Sequence, residues 1–379
     1  MMNKMRMAFK SRKLCNNNDD CGRLNNNNDS CRNKNFKAAI NDNYESRNFK
    51  ATTRIFFKAA ARIFSLLLIL GMFTQTLTLT GCKRQSQSEA EAEVNNEYYY
   101  SFTDSLENTI NLKDKPQRVV SLIGSYAETW ILAGGDLVGV TNDVITERNM
   151  DLPLGTRIVG TIKEPNVEEI MDLSPDFVLL SPDIESHVRI SEILKKSDIS
   201  FAFFKVEHFE DYLDMLKICT DITGNKELYE KNGLEVKKQI DAVLATIDKE
   251  NNPDILFIRA FSSGAKAKND DNMACKILND LGTVNIASKH KSLLEDLSME
   301  EIIQEDPDFI FVVTMGDSGK ALKALKDGIE KNPAWSGLSA VKNNRYIVLP
   351  KELFHYKPNA RWGESYEYIA KILYPDKFK

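Results

Sequence analysis

A thirteen-residue pattern that occurs twice constrains the fold of this chain more than any other feature. Residues 166–178 read Asn-Val-Glu-Glu-Ile-Met-Asp-Leu-Ser-Pro-Asp-Phe-Val, and residues 298–310 read Ser-Met-Glu-Glu-Ile-Ile-Gln-Glu-Asp-Pro-Asp-Phe-Ile. Six residues are identical without gaps, each pair 132 positions apart. Solenoid repeats recur every ~20–50 residues, so one repeat at this long spacing instead favours two equivalent lobes. The pattern therefore predicts a pseudo-symmetric pair of lobes.

Each copy of the repeat predicts a short helix followed by a strand. Asn166 and Ser298 suit the N-cap position, and the acids three residues later, Glu169 and Glu301, would complete a capping box. A proline then ends each helix, and an apolar run follows. Capping and helix termination account for the cap residue, the second Glu and the proline of each copy.

The first acid of each copy, Glu168 or Glu300, is not needed for capping. It could simply favour the helix dipole, which stabilises an N-terminal carboxylate by ~0.3–1 kcal/mol. Alternatively, it could leave one exposed carboxylate on each lobe for a basic partner.

Short apolar runs alternate with helical patterns from Arg118 onward, after a predicted hairpin over Tyr99–Leu112. Such alternation predicts an α/β fold with mainly parallel strands. The predicted strands are Arg118–Ile123, Leu137–Val140, Phe177–Ser181, Phe201–Lys205 and Ile255–Ile258. Residues 226–249 form a long proline-free helical pattern. The sequence thus predicts α/β lobes at 99–225 and 252–379, joined by a single helix at 226–251.

The N-terminal part differs sharply in charge from the rest. Residues 1–81 carry a net charge of +9 and residues 82–379 a net charge of −14. The acidic body does not suit a nucleic-acid binder. Basic residues precede the apolar stretch Phe64–Phe73, which is too short for a span of ~20 residues. The stretch leads to Leu79-Thr80-Gly81-Cys82, which resembles the lipobox of bacterial lipoproteins.

This pattern predicts a leader at 1–81 that is cleaved, a lipid on Cys82, and a flexible tether at 82–98. The protein would then be anchored by lipid to the extracytoplasmic face of the cell membrane. A buried core helix or a single membrane anchor remains the alternative reading. Of the cysteines beyond Cys82, Cys219 and Cys275 lie in helical apolar patterns, and two buried thiols are favoured over a disulfide.

Motifs from Phe102 to the C-terminus resemble those of the class III substrate-binding lipoproteins of ABC importers for iron–siderophores, cobalamin and haem. The matching pieces include Pro116-Gln-Arg-Val-Val-Ser-Leu122, Pro165-Asn-Val-Glu168, Ile277–Ile286, Ser298-Met-Glu300 and Asn332-Pro-Ala-Trp335. The resemblance implies Rossmann-like lobes, a rigid interlobe helix and a ligand cleft between the lobes. It also implies that Glu168 and Glu300 dock onto arginines of the permease. The family's first hairpin usually has Gly where this chain has Glu107.

The same resemblance implies a capture protein that is not an enzyme and needs no cofactor. Its partners would be a permease dimer with ATPase subunits, a small metal chelate and the membrane, and the chain would be monomeric. An extracellular hydrolase is the main rival, but no Gly-x-Ser-x-Gly elbow occurs. A membrane-tethered ligand sensor with the same fold is a third possibility.

Ligands of α/β lobes bind beyond the carboxyl ends of the strands, where several cationic and aromatic residues of this acidic chain are predicted. Cations hold an anionic chelate and aromatic faces cover its apolar parts. Any one of these side chains could also be an ordinary surface residue. The predicted ligand-binding residues are Tyr126, Lys163, Arg259, Lys266, Met315, Tyr356, Lys357, Arg361 and Trp362.

The cationic lining favours an anionic ferric siderophore as the ligand. Some haem-binding members of the resembled family ligate iron with Met and His at places where this chain has Lys163 and Met315. Cobalamin stays possible, since its pocket is mostly aromatic. The four histidines form no cluster with metal-ligand spacing, so no metal site is predicted. His355, in the aromatic and basic loop, is the one histidine singled out for testing.

Overall fold

The computed structural model describes residues 97–247 and 252–379. The predicted leader, Cys82 and most of the predicted tether lie outside these residues. An antiparallel hairpin opens the described part, with β1 at Tyr100–Thr103 and β2 at Thr109–Leu112. Glu107 in its turn has a φ of 61°, the left-handed region that glycine adopts most easily. The hairpin prediction is confirmed.

The N-terminal lobe is built on a five-stranded parallel sheet in the order β5-β4-β3-β6-β7. Every run predicted as a strand overlaps an observed strand. The strands are β3 Val119–Ser121, β4 Gly139–Val140, β5 Arg157–Ile158, β6 Phe177–Leu180 and β7 Ser200–Phe203. The helices are α1 Gly124–Leu132, α2 Asp143–Thr146, α3 Val167–Asp172, α4 Glu185–Lys196 and α5 Phe209–Thr223.

The C-terminal lobe has a second five-stranded sheet, in which β10-β8-β11-β12 are parallel and β9 pairs antiparallel with β8. The strands are β8 Asp254–Phe261, β9 Gly264–Ala267, β10 Val284–Asn285, β11 Phe309–Thr314 and β12 Tyr346–Val348. Together the two sheets confirm the predicted α/β class with mainly parallel strands.

Short helices surround this second sheet. Besides α-helices, it is flanked by a π-helical segment at Lys326–Glu330 and 3₁₀ segments at Pro333–Gly337, Asn359–Arg361 and Pro375–Phe378. Two helices, α6 Lys226–Tyr229 and α7 Glu235–Thr246, lie between the lobes. The α-helices of the C-terminal lobe are α8 Met273–Asp280, α9 Ile286–Lys289, α10 Ser292–Glu295, α11 Met299–Glu305, α12 Ser318–Leu325, α13 Ser339–Lys342, α14 Lys351–Phe354 and α15 Trp362–Leu373.

The helix between the lobes is interrupted and shorter than predicted. It comprises α6 at Lys226–Tyr229, a π-helical segment at Glu230–Leu234 and α7 at Glu235–Thr246. Buried Gly233 lies in the π segment, where an added Cβ would come within 3.0 Å of a leucine side chain on α5. The α conformation ends at Thr246 because Ile247 is extended, five residues before the predicted end.

The repeat has the same structural role in both lobes. A carboxylate oxygen of Asp176 accepts the backbone N–H of Arg118 at 2.9 Å, beside β3. Asp308, the matching residue, accepts the N–H of Asp254 at 3.1 Å, at the start of β8. Each Pro-Asp-Phe therefore joins the strand it begins to the neighbouring strand of its sheet. Because the same bond occurs in both copies of the repeat, it supports two equivalent lobes.

The predicted capping boxes are only half present. The side chains of Asn166 and Ser298 accept backbone N–H groups of their helices, as N-caps do. The reciprocal bonds are absent among the described contacts, because Glu169 pairs with Arg157 and Glu301 accepts the hydroxyl of Ser292. That part of the capping prediction was wrong, since tertiary partners compete for both carboxylates.

One continuous apolar core extends from the hairpin through both lobes to α15. Phe209 of α5 and Trp362 of α15 meet edge to face with ring centroids 6.0 Å apart. Cys219 and Cys275 are buried and free, which confirms the predicted thiols, and burial raises the pKa of each. The shared core means that the lobes pack on each other as well as on the connecting helix.

Gly363 allows α15 to approach the interlobe helix closely. An added Cβ would lie 2.9 Å from the Cβ of Gln239 on α7. We therefore expect Gly363→Ala to lower the free energy of unfolding by about 1–3 kcal/mol, the usual cost of overpacking. Urea unfolding would measure this. Gly328→Ala is the matched control, since a Cβ there meets nothing within 4 Å, and equal effects of both changes would contradict the expectation.

Candidate functional site

The carboxyl ends of the parallel strands bring loops of the two lobes into contact. In the N-terminal lobe, Ser181–Asp183 follows β6 and Phe204–His208 follows β7. In the C-terminal lobe, the strand β12 leads through α14 into the loop His355–Arg361. Contacts across this region place the candidate site between the lobes, where parallel α/β sheets bind their ligands.

Three cations of the C-terminal lobe surround His355. Burial, together with the positive charges of Arg259, Lys351 and Lys357, lowers the pKa of this histidine to about 4. His355 is therefore neutral near pH 7, and the positive charge of this wall comes from the other three residues. The sequence predicted Arg259 and Lys357 for the ligand set but missed Lys351, because it precedes the aromatic loop.

Lys351 is held in place by its own contacts. Its ammonium group donates to the carbonyl of Gly316 at 2.6 Å and lies 5.4 Å from the centroid of the Tyr356 ring. The Tyr356 ring in turn lies 5.1 Å from the ring of His355. These contacts connect the predicted ligand residue Tyr356 to the cationic wall, beside the loop that follows β11.

Carboxylates of the N-terminal lobe face Lys357 from across the interface. Burial lowers the pKa of the Lys357 ammonium, whereas Asp183 and Glu207 raise it. Lys205 lies between these acids, 3.9 Å from Asp183 and 3.2 Å from Glu207. Asp211, which also raises the pKa of Lys357, accepts the backbone N–H groups of Glu207 and His208. The acids help Lys357 to stay charged despite its desolvation.

Most of the buried polar atoms without a protein partner belong to residues of these loops or to their neighbours. Among the described residues there are five such side-chain atoms, and four belong to His208, Arg259, His355 and Trp362. The fifth is the hydroxyl of Ser186. A desolvated donor without a partner costs about 1–3 kcal/mol, so such groups usually mark a place where a polar ligand or water binds. This clustering is the strongest indication of a binding site in the structure.

The remaining predicted ligand residues have two different environments. Tyr126 and Trp362 are 2% and 1% exposed, and the hydroxyl of Tyr126 donates to the carbonyl of Phe204 at 2.5 Å. They pack beneath the site in this conformation. The other predicted residues, Lys163, Lys266, Met315 and Arg361, are exposed, and Arg361 forms an ion pair with Glu364.

A buried histidine fixes the loop that carries Lys163. His187 on α4 is fully buried, and its Nε2 lies 2.9 Å from the carbonyl of Ile162. The backbone N–H of Ser181 donates to Nδ1 at 3.2 Å, so the neutral Nε2–H tautomer satisfies both bonds. Burial lowers the pKa of His187 to about 4. The histidine thus joins the Lys163 loop to the loop after β6.

This histidine predicts a loss of stability in acid. The pKa is lower in the folded state than in the unfolded chain, where it is near 6.5, so unfolding takes up protons below that pH. The contribution of His187 is complete above pH ~6.5, and roughly 2–3 kcal/mol is lost as the pH falls toward 4. Urea unfolding of wild type and His187→Gln at pH 7.5 and 4.5 should show the stability difference shrinking in acid. An unchanged difference would contradict this.

Glu168 and Glu300 differ from the acids that follow them in sequence. Both are exposed near the N-termini of α3 and α11, and neither side chain contacts an ion-pair or hydrogen-bond partner among the described residues. The following acids, Glu169 and Glu301, are engaged within their own lobes. One free carboxylate per lobe is thus available to a partner.

The described residues contain no group of three or more His, Cys, Asp or Glu side chains that could hold a metal ion. None of the helices in residues 97–247 or 252–379 is long and apolar enough to cross a membrane.

Comparisons with known proteins identify the chain as a substrate-binding component of a transport system rather than an enzyme. A family profile described as periplasmic binding protein matches residues 119–353, which is more than half of the chain. The chain belongs to this family, and the resemblance to class III binding proteins of ABC importers is confirmed.

Similarity to individual proteins agrees with this assignment. The Fe(3+)-citrate-binding protein YfmC of Bacillus subtilis is 27% identical over 245 residues, covering 63% of this chain and 75% of YfmC. The high-affinity heme uptake system protein IsdE of Staphylococcus aureus is 22% identical over 224 residues, covering 58% and 75%. The structure of Staphylococcus aureus SirA complexed with staphyloferrin B is also similar, with 22% identity and a TM-score of 0.54. The match covers 74% of this chain and 98% of SirA.

Proposed function

We propose that this protein captures an anionic ferric chelate, such as a ferric siderophore, between its lobes and delivers it to an ABC permease. The observation that carries the proposal is the cationic wall of Arg259, Lys351 and Lys357, together with the partnerless donors beside it. Charged donors form the strongest hydrogen bonds to carboxylate and other anionic oxygens. Residues 82–379 are otherwise strongly acidic, so this wall contrasts with the rest of the surface.

The names of the relatives support an iron ligand. One similar protein is named for Fe(3+)-citrate and one solved structure contains staphyloferrin B. Another relative is named for heme uptake, so haem is the principal alternative. By the family resemblance, however, Lys163 and Met315 stand where some haem-binding members have their Met and His ligands, and a protonated Lys has no lone pair to offer iron. Cobalamin is the second alternative.

Titration of intrinsic tryptophan fluorescence with a ligand panel tests this proposal. The panel contains ferric citrate, several ferric siderophores, haem and cobalamin, and the buried Trp362 lies beside the site. We expect a dissociation constant of about 1 μM or lower for at least one anionic ferric chelate. Tighter binding of haem or cobalamin than of every ferric chelate would overturn the choice of ligand.

The membrane attachment is part of the same proposal. Cys82 and the lipobox-like residues before it support a lipid anchor on the extracytoplasmic face of the membrane. Cys82→Ser should then move the protein from the membrane fraction to the soluble fraction, as measured by immunoblotting. Retention in the membrane fraction would contradict the lipid anchor and favour an apolar anchor.

A further inference from the structure

A set of polar contacts joins the two lobes next to Lys357. Arg148, just after α2, forms an ion pair with Glu128 of α1 through Nη1. Its Nη2 donates to the backbone carbonyl of Lys357 in the opposite lobe at 2.9 Å. The side chain of Arg148 is only 11% exposed, so this bond is shielded from competing water. One arginine thus contacts its own lobe and the backbone of a residue in the proposed ligand wall.

Asn359 makes a second connection from the same loop. It is 1% exposed and has a φ of 51°, a left-handed conformation that Asn tolerates better than most residues. Its Nδ2 donates to the carbonyl of Ser125 at 3.0 Å and to the carboxylate of Glu128 at 2.8 Å. Glu128 therefore accepts from Arg148 and Asn359 together. The residues on both sides of Pro358 are bound to the N-terminal lobe, Lys357 through its backbone carbonyl and Asn359 through its side chain.

We propose that Glu128, Arg148 and Asn359 form an interlobe clasp that positions Lys357 for the ligand. In this clasp Arg148 and Glu128 are positioning residues, because they act through the backbone of the loop and not through contact with the chelate. The positive charge of Arg148 lowers the pKa of the nearby Lys357 ammonium, and the ion pair with Glu128 places a negative charge beside Arg148. The role of the clasp in ligand binding rests on the proposed function, in which Lys357 binds an anionic chelate. The contacts of the clasp itself do not depend on that proposal.

A double-mutant cycle tests whether Arg148 acts through Lys357. We expect Arg148→Met to weaken the binding of ferric citrate about tenfold, the loss typical of a charge-assisted hydrogen bond. In a Lys357→Met background, the same change should weaken binding by less than about twofold, because coupled residues are not additive. Equal losses in both backgrounds would overturn the positioning role. Glu128→Gln, which preserves shape, provides a second variant if Arg148→Met folds poorly.

Hydrogen exchange tests the clasp without any ligand. The amides of Tyr356 and Arg361 are bonded within the loop, to the carbonyls of Lys351 and Pro358. We expect their exchange to become about tenfold faster in Arg148→Met, since releasing the loop favours local opening. Unchanged protection would overturn the clasp.

A matched control separates the clasp from a general loss of charge. Arg157→Met removes an arginine of the same lobe that pairs with Glu169 and Asp172 of α3 and not with the loop, and should leave these amides unchanged. If the wild type bound no ferric chelate at all, the proposed function would fail, and the exchange measurement would still decide whether the clasp exists.

Discussion

Replacing both Glu168 and Glu300 by Gln is expected to leave ligand affinity unchanged and to reduce uptake by at least about tenfold. The two carboxylates are exposed on different lobes, lack partners among the described residues and belong to helices that contribute no residue to the cationic wall. A basic permease surface would pair with both at once. Losing one partner of a buried charge pair costs about 2–5 kcal/mol in a protein complex, which is enough for an effect of this size.

The neighbouring acids provide the control for this prediction. Glu169 and Glu301 carry the same charge on the same helices but bind Arg157 and Ser292 within their own lobes. Glu169→Gln with Glu301→Gln should therefore leave uptake close to that of the wild type. Transport of iron-55 as its chelate into cells, with equal amounts of each variant, measures the difference. Normal uptake in the first double variant, or equal losses in both, would contradict docking through Glu168 and Glu300.

The second large effect is expected at the cationic wall. Arg259→Met with Lys357→Met should weaken the binding of an anionic ferric chelate by on the order of 100-fold or more, since each charged hydrogen bond contributes about 1.5–3 kcal/mol. Arg361→Met should have a smaller effect, because its guanidinium already binds Glu364 at 2.7 Å. Fluorescence or calorimetric titration measures these affinities.

Salt dependence gives this experiment a second measurement. Added salt should weaken the binding to wild type more than the binding to the double variant, because screening acts on the charges that were removed. Lys371→Met is the matched control, since Lys371 is an exposed cation paired with Glu367 one helical turn away. An affinity that the double variant retains in full would point to an uncharged ligand such as cobalamin.

Local patterns made much of the fold predictable. The strands at 119–121 and 177–180 are short apolar runs, and their type follows from neighbours in sequence. The repeat predicted two equivalent lobes because each copy specifies its own local structure. The capping residue begins a short helix, and Pro-Asp-Phe ends it and begins the next strand. The end of the interlobe helix was not predictable, since its pattern continues past Thr246 without a proline or glycine to end it.

The candidate site was predictable only in outline. Cationic and aromatic residues after strand ends indicated the loop at 355–361, yet Tyr126 and Trp362 are buried and Arg361 is paired outside the wall. Lys351 was missed because its position depends on the carbonyl of Gly316, which is 35 residues away in sequence. His187 gave no signal either, since one histidine in a helical pattern does not reveal which carbonyl it meets.

The sequence by itself determined the α/β class, the two related lobes, the free acid on each lobe and the region that supplies the cations. These properties depend on spacing and composition within short segments, so they can be read without knowing the packing. The tertiary structure alone decided which cations surround His355, that Glu128 and Arg148 join the lobes, and that Glu169 leaves its cap for Arg157. The physical reason is that hydrogen bonds and desolvation depend on atoms brought together from distant parts of the chain.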